Sequence, residues 1–164
     1  NTLTRAENFD GRILGYTAIG IDAGASNYAV TTTMTTVDAD TKVTFTAPPS
    51  GNVEIEVSIF ADCASGGRWL VFGLSDNATY NTLDDAHEHK ASTGDETDEI
   101  YLQHRWAITG LTTGTEYTYW LGADAQSVSV WVLRWGGTTP GFLAANWSPF
   151  IMKATSLPVT IYTG

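Results

Sequence analysis

One cysteine in 164 residues, Cys63, rules out an internal disulfide, which argues against a small secreted scaffold and suits folding in a reducing cytoplasm, whatever the later place of work. Basic residues are scarce. Eight Lys and Arg stand against eighteen Asp and Glu, a formal charge of −10 that repels nucleic acid and anionic lipid inside the screening length. Neither is an expected partner. Long hydrophobic runs are missing: apolar residues make up 43% of the chain but arrive in short pieces broken by Gly, Thr, Asn and Asp, so there is no transmembrane span. No stretch joins a charged start, an apolar middle and a small-residue cleavage site in the manner of a secretory signal. The chain opens at Asn1 and not at Met, which leaves a removed segment or a longer parent polypeptide open. A 3.6-residue apolar stripe is also lacking, and the best helix candidate is the polar stretch from Leu83 to Ala91.

What is present is a period of two. Val43, Phe45 and Ala47; Val53, Ile55, Val57 and Ile59; Ile100, Leu102, His104, Trp106 and Ile108; and Val128, Val130 and Val132 all alternate with other residues. Glu54, Glu56 and Ser58 must face the opposite way from their neighbours, giving an antiparallel strand with one wet face. Arg68 to Leu74 and Trp131 to Leu133 are apolar on both faces and should be covered on both sides. The segment Val30 to Val37 reads as a Thr-rich strand. Turn chemistry separates the runs at Pro48 to Asn52, Ser65 to Gly67, Ser75 to Asn77, Thr109 to Gly114 and Trp135 to Gly137. This spacing predicts one all-β domain, an antiparallel, jelly-roll-like β-sandwich of about eight to ten strands. Residues 1–27 read differently, as an N-terminal arm or linker with one strand between Ile13 and Ile21 and a joint at Ala23 to Asn27; the sandwich then occupies residues 28–164.

Residues that carry chemistry are sparse. Asp84-Asp85-Ala86-His87-Glu88-His89 has the donors for a divalent metal, with His87 and His89 the candidate ligands, but imidazoles two residues apart share one ion only where the backbone cooperates. The reading is a polar surface loop, with no metal and no cofactor. Asp95, Glu96, Asp98 and Glu99 lack the spacing of a calcium loop. His104, between apolar neighbours, reads as a structural histidine rather than a general base. No nucleophile elbow, phosphate loop or framed carboxylate pair is visible, so a non-enzyme is expected. Trp69, Trp106, Trp120 and Trp131 fall in strands and read as core or subunit interface. Trp135 and Trp147 fall in Gly- and Pro-bearing loops, where a ring is suited to protein contact and equally to stacking on a sugar.

Segments of the chain resemble three known families. Phe45-Thr46-Ala47-Pro48-Pro49-Ser50-Gly51-Asn52-Val53 resembles the strand-turn-strand of C1q/TNF-like jelly rolls, which form trimers, with Val53 in place of the usual aromatic. Leu111-Thr112-Thr113-Gly114-Thr115-Glu116-Tyr117 is similar to the E–F corner of fibronectin type III domains, where a Tyr locks the turn; here it reads as a sandwich turn. More broadly, Asn8 to Tyr16, Phe72 to Asn77, Tyr117 to Gly122 and Phe150 to Thr155 resemble structural domains of tailed-bacteriophage virions. That resemblance implies a virion surface protein folded in the host cytoplasm, a capsid decoration or cement module or a fibre module, and because a sandwich must blunt its edges and cover its apolar faces, a homotrimer is the expected assembly. The alternative is a receptor-binding fibre tip that recognises a bacterial surface glycan. In the first reading the arm, through Arg5, Phe9, Arg12, Ile13 and Tyr16, docks on other virion proteins, since a cationic and apolar segment can add to an exposed sheet edge.

Overall fold

Along Val53–Cys63 (β5) the alternation of the sequence becomes alternation in space. Val53, Ile55, Val57, Ile59, Ala61 and Cys63 are closed to solvent on one face, while Glu54, Phe60 and Asp62 on the other keep contact with it. Burying each of the larger aliphatic side chains stabilises the fold by about 1.5–3 kcal/mol, which makes this strand the spine of the molecule. The computed structural model describes residues 11–22, 24–64, 68–81, 87–94, 99–128, 130–137 and 146–162. Around β5 stand β1 (Ile13–Ile19), β2 (Ser26–Ala29), β3 (Thr35–Thr36), β4 (Lys42–Thr46), β6 (Arg68–Ser75), β7 (His89–Gly94), β8 (Glu99–Ile108), β9 (Glu116–Ala125), β10 (Trp131–Trp135) and β11 (Phe150–Ser156).

Every pairing is antiparallel. One sheet runs β1-β11-β5-β10-β2 with β8 on the other side of β5, and the second runs β3-β9-β6-β7 with β4 also on β9. The chain changes sheet between β2 and β3, β4 and β5, β5 and β6, β7 and β8, β8 and β9, and β9 and β10, the wrap of a jelly roll. The fold class, an antiparallel β-sandwich, is therefore the one the periodicity predicts, with eleven strands among the described residues where about eight to ten are expected. The core is one cluster between the two sheets, with Trp106, Trp131, Phe72 and Phe150 among its largest members.

β10 and β11 share one place in the sheet. β10 pairs with Phe60 to Cys63 of β5 and β11 with Val53 to Ser58, so a single strand position is filled by two segments. A bridge from Gly136 to Trp147 joins the end of β10 to the segment that leads into β11.

Several expectations are corrected by this packing. Trp131 and Leu133 need no partner outside the chain, because both lie at 0% exposure in the core; β10 is flanked by β5 and β2. The Thr-rich segment is a strand only at Thr35–Thr36, since it carries the chain from one sheet to the other: the Val30 amide bonds Trp131 O and the Val37 amide bonds Leu121 O. Val128, expected within a strand, lies outside β10 and is exposed. No α-helix occurs among the described residues; where the helix candidate overlaps them, His87 has 3-10 conformation and His89 to Ala91 belong to β7. Residues 82–86, and with them Asp84 and Asp85, lie outside the described residues, as do Asp95, Glu96 and Asp98, Ser65 to Gly67, and the arm residues Arg5 and Phe9. The strand expected in the arm is β1, hydrogen-bonded to β11 from Ile13 to Ile19, and the boundary at residue 27 falls inside β2.

The two families of turn are built as their residues suggest. Gly51 adopts φ +68, and a Cβ there would crowd Leu111 O at 2.7 Å, so both conformation and space call for glycine. The hydroxyl of Tyr117 accepts the Thr112 amide at 3.1 Å, tying the β8–β9 turn to the start of β9.

Candidate functional site

Register places the outward side chains of the six-stranded sheet in rows. Tyr16 on β1, Lys153 on β11, Glu56 on β5 and Arg105 on β8 are consecutive neighbours in one row. Ile13, Thr155, Glu54 and Ala107 form the next, and Ala18, Ile151, Ser58 and Gln103 the one on the other side. Glu56 is at the centre with only 7% of its side chain exposed, 2.9 Å from Lys153 Nζ and 2.7 Å from Arg105 Nε. The Arg105 contact is an ion pair of poor hydrogen-bond alignment. A carboxylate withdrawn from water this far is tolerable only with such partners, and removing them costs more than the pair itself contributes.

This face combines ion-paired acids with exposed apolar groups. Arg134 Nη2 meets Asp62 Oδ2 at 2.7 Å further along β5, so the three acids of β5, Glu54, Glu56 and Asp62, each have a basic partner, while Glu99 of β8 stands exposed opposite Asp62. Around the pairs stand Ile13 at 54%, Tyr16 at 55% and Tyr101 at 45% exposure, with Phe60 beside Tyr101 by register. Arg12, Ile13 and Leu14 also line a cleft of ≈ 270 Å³ against Thr46, Pro48 and Pro49. Three of the five expected docking residues, Arg12, Ile13 and Tyr16, thus lie on or beside one exposed face.

The two loop tryptophans separate. Trp135 is the last residue of β10 and 5% exposed, its ring 6.5 Å from Phe150, so it offers no face to a ligand; the sequence placed it in a loop because Gly136 and Gly137 follow directly. Trp147 is half-buried where it bridges to Gly136, and the Arg134 guanidinium lies 4.8 Å above its ring while also holding Asp62. Nothing in the local sequence joins Arg134 to Trp147; only the shared strand position does.

The histidines are not arranged as expected from their spacing. His89 faces inward from β7, and its Nδ1 lies 3.0 Å from Nε2 of His104 on β8. Both rings lie against Trp106, whose indole donates to the His87 carbonyl at 2.9 Å. Burial, and then the neighbouring His89, push the His104 pKa down from 6.5. Period two had placed His104 on the apolar face, but its partner lies on another strand and was not legible. Among the described residues no three His, Cys, Asp or Glu side chains converge on one point. EDTA treatment should therefore leave the melting temperature unchanged, since only a ligand specific to the folded state raises it; a drop of several degrees, restored by zinc or calcium, would reveal a site.

On the outer face of the second sheet, Tyr80 covers Gly73 and Gly122 and its hydroxyl donates to Glu88 Oε1 at 2.9 Å. Nearby Asp124 has its carboxyl pKa raised by burial and then by Glu88. The group is a packed surface plug, not a framed acid–base pair.

No family model and no curated protein matches the chain. Among solved structures it is similar to the CBM22-1–GH10 modules of Clostridium thermocellum endo-1,4-β-D-xylanase 10B, a structure complexed with xylohexaose. The identity is 16%, over 98% of this chain and 28% of that one, at a TM-score of 0.30. The chain thus spans 28% of the xylanase chain, and a likeness at this level carries no argument about function.

Proposed function

We propose that the chain is a non-enzymatic structural module of a tailed-phage virion, a capsid decoration or fibre component that assembles as a homotrimer through the outer face of its six-stranded sheet. The observation that carries the assembly is that face itself. The acids of its central strand β5 are held by Arg105, Lys153 and Arg134, while Ile13, Tyr16 and Tyr101 stand exposed around them. Copies of a protein at −10 repel one another, and they approach most cheaply where that charge is cancelled locally. Apolar groups set among neutralised pairs then supply the gain on contact. The virion assignment rests on the sequence resemblance, and docking through residues 1–27 belongs to it.

Light scattering of the purified protein at tens of micromolar is expected to return the mass of three copies, and Tyr16→Glu with Tyr101→Glu to return one with unchanged circular dichroism. A stable monomer of the unsubstituted chain overturns the assembly. For the virion, mass spectrometry of gradient-purified particles should find the chain in stoichiometric amount, and its absence overturns that part. The glycan-binding fibre tip keeps one observation in its favour, the Trp147 ring beside the paired Arg134 and Asp62, where a stacking surface adjoins polar groups.

A further inference from the structure

Of the four strand tryptophans only Trp106 and Trp131 belong to the core. Leu70, Phe72 and Leu74 of β6 and Tyr119, Leu121 and Ala123 of β9 fill the inner face of the second sheet, so Trp69, Gly73, Trp120 and Gly122, which alternate with them, look outward. Both outward indoles are half-buried. Trp120 lies opposite Ser75 by register, and Trp69 precedes Ser75 by six residues on the same strand, which sets the two indoles about 20 Å apart along the sheet. Tyr80 stands between them, across the paired glycines Gly73 and Gly122. We propose that this line of three rings on the outer face of the second sheet binds a neutral polysaccharide, whose sugar rings stack along it.

The surroundings select that ligand. A sugar ring has an apolar face of C–H groups and a rim of hydroxyls, so its site needs aromatic rings set among hydrogen-bonding side chains. Both are present. Thr44 and Thr118 share a hydroxyl hydrogen bond at 2.8 Å in the outward pair next to Lys42 and Trp120, and the half-buried carboxylate of Asp124 follows two residues after Gly122. The rings are also accessible at small cost. Lys42 lies over Trp120 at 5.6 Å and Lys90 over Trp69 at 5.8 Å, near the outer limit of a cation–π contact, so what covers each indole is a flexible side chain that a sugar can move aside. A polyanion is disfavoured by the chain's charge of −10. A protein partner would need a contiguous apolar core to its interface, whereas these rings are set singly, with glycine and polar groups between them. The site goes beyond the proposed assembly and does not depend on it, because the trimer surface belongs to the other sheet.

Affinity electrophoresis of the full chain tests this, in native gels carrying mixed-linkage β-glucan, galactomannan or dextran, with alginate as the anionic arm. At least one neutral polymer should retard the chain, and Trp69→Ala and Trp120→Ala should each raise its dissociation constant by about tenfold or more while the mass from light scattering stays the same. Retardation by none of the neutral polymers, by alginate alone, or undiminished in both folded variants overturns the proposal. A measurement on the unsubstituted chain replaces any variant that fails to fold: on addition of an oligosaccharide cut from the retarding polymer, the indole N–H resonances of Trp69 and Trp120 should shift and those of the buried Trp106 and Trp131 stay in place. Shifts confined to Trp147 overturn this site in favour of the Arg134 and Asp62 corner. The chain carrying Tyr16→Glu and Tyr101→Glu should give the same shifts, so failure of the trimer and failure of the sugar site are told apart.

Discussion

Removing residues 1–21 is expected to lower the free energy of unfolding by about 5 kcal/mol, summing the burial of two side chains with the loss of an edge ladder. Leu14 and Ile19 pack on the core, and β1 pairs with β11 from Ile13 to Ile19. The connection extends beyond the strand: the Gly11 amide bonds Ser156 O, and the Ser156 amide bonds Arg12 O, each at 2.9 Å. A loss of that size is a large share of the stability of an ordinary domain and should shift the urea midpoint by roughly 2 M or more. Removing residues 1–10 alone spares β1 and serves as the control, with an expected shift close to zero. If both truncations unfold at the same urea concentration as the full chain, β1 is a dispensable arm, as the sequence reading has it, and particle incorporation of the 1–21 truncation becomes the test of docking.

Trp131→Ala is expected to cost about 3–5 kcal/mol, the range for truncating a large aromatic in a close-packed core. The residue is at 0% exposure, opposite Cys63 of β5 by register, its carbonyl accepts the Val30 amide, and its indole nitrogen donates to Arg68 O at 3.3 Å. The substitution leaves a cavity and an unpaired carbonyl at once. Urea denaturation of the variant should show the loss at any protein concentration, because the ring is buried within its own chain. If the loss disappeared on dilution of both proteins to monomer, Trp131 would instead be an interface residue, as two-sided apolarity in the sequence suggests.

These two cases show where the sequence is legible. Period two along β5 and β8 predicts their faces residue by residue, because side-chain direction in a strand is a local consequence of the backbone. Which strand lies beside which is a matter of long-range closure, and the sequence carries no local sign of it. Trp131 looks two-sided because Val132 follows it, yet Val132 faces out beside Asp62 while Trp131 faces in beside Cys63. Glu56 was readable as outward but not as nearly buried, since that depends on Lys153 and Arg105 arriving from two other strands. The His89–His104 pair was hidden for the same reason. His87 and His89 are adjacent in the sequence and drew attention as a pair, whereas the contact runs from β7 to β8.

The split strand position sets an order of assembly in time. β5 is complete once residue 63 has been made, yet one of its edges stays open until β10 and then β11 are synthesised, and β1 waits longest, for a partner 131 residues further along at the Ile19–Phe150 pair. During synthesis at about 5–20 residues per second, that interval is many seconds in which Val53 to Cys63 has an unpaired edge. Closure between such distant segments is also the slow kind, set by the entropy of bringing them together. The nascent chain therefore spends that interval with the longest described strand open at one edge, and the acidic residues Glu54, Glu56 and Asp62, spaced along that strand, act as its guard before they ever become its ion pairs.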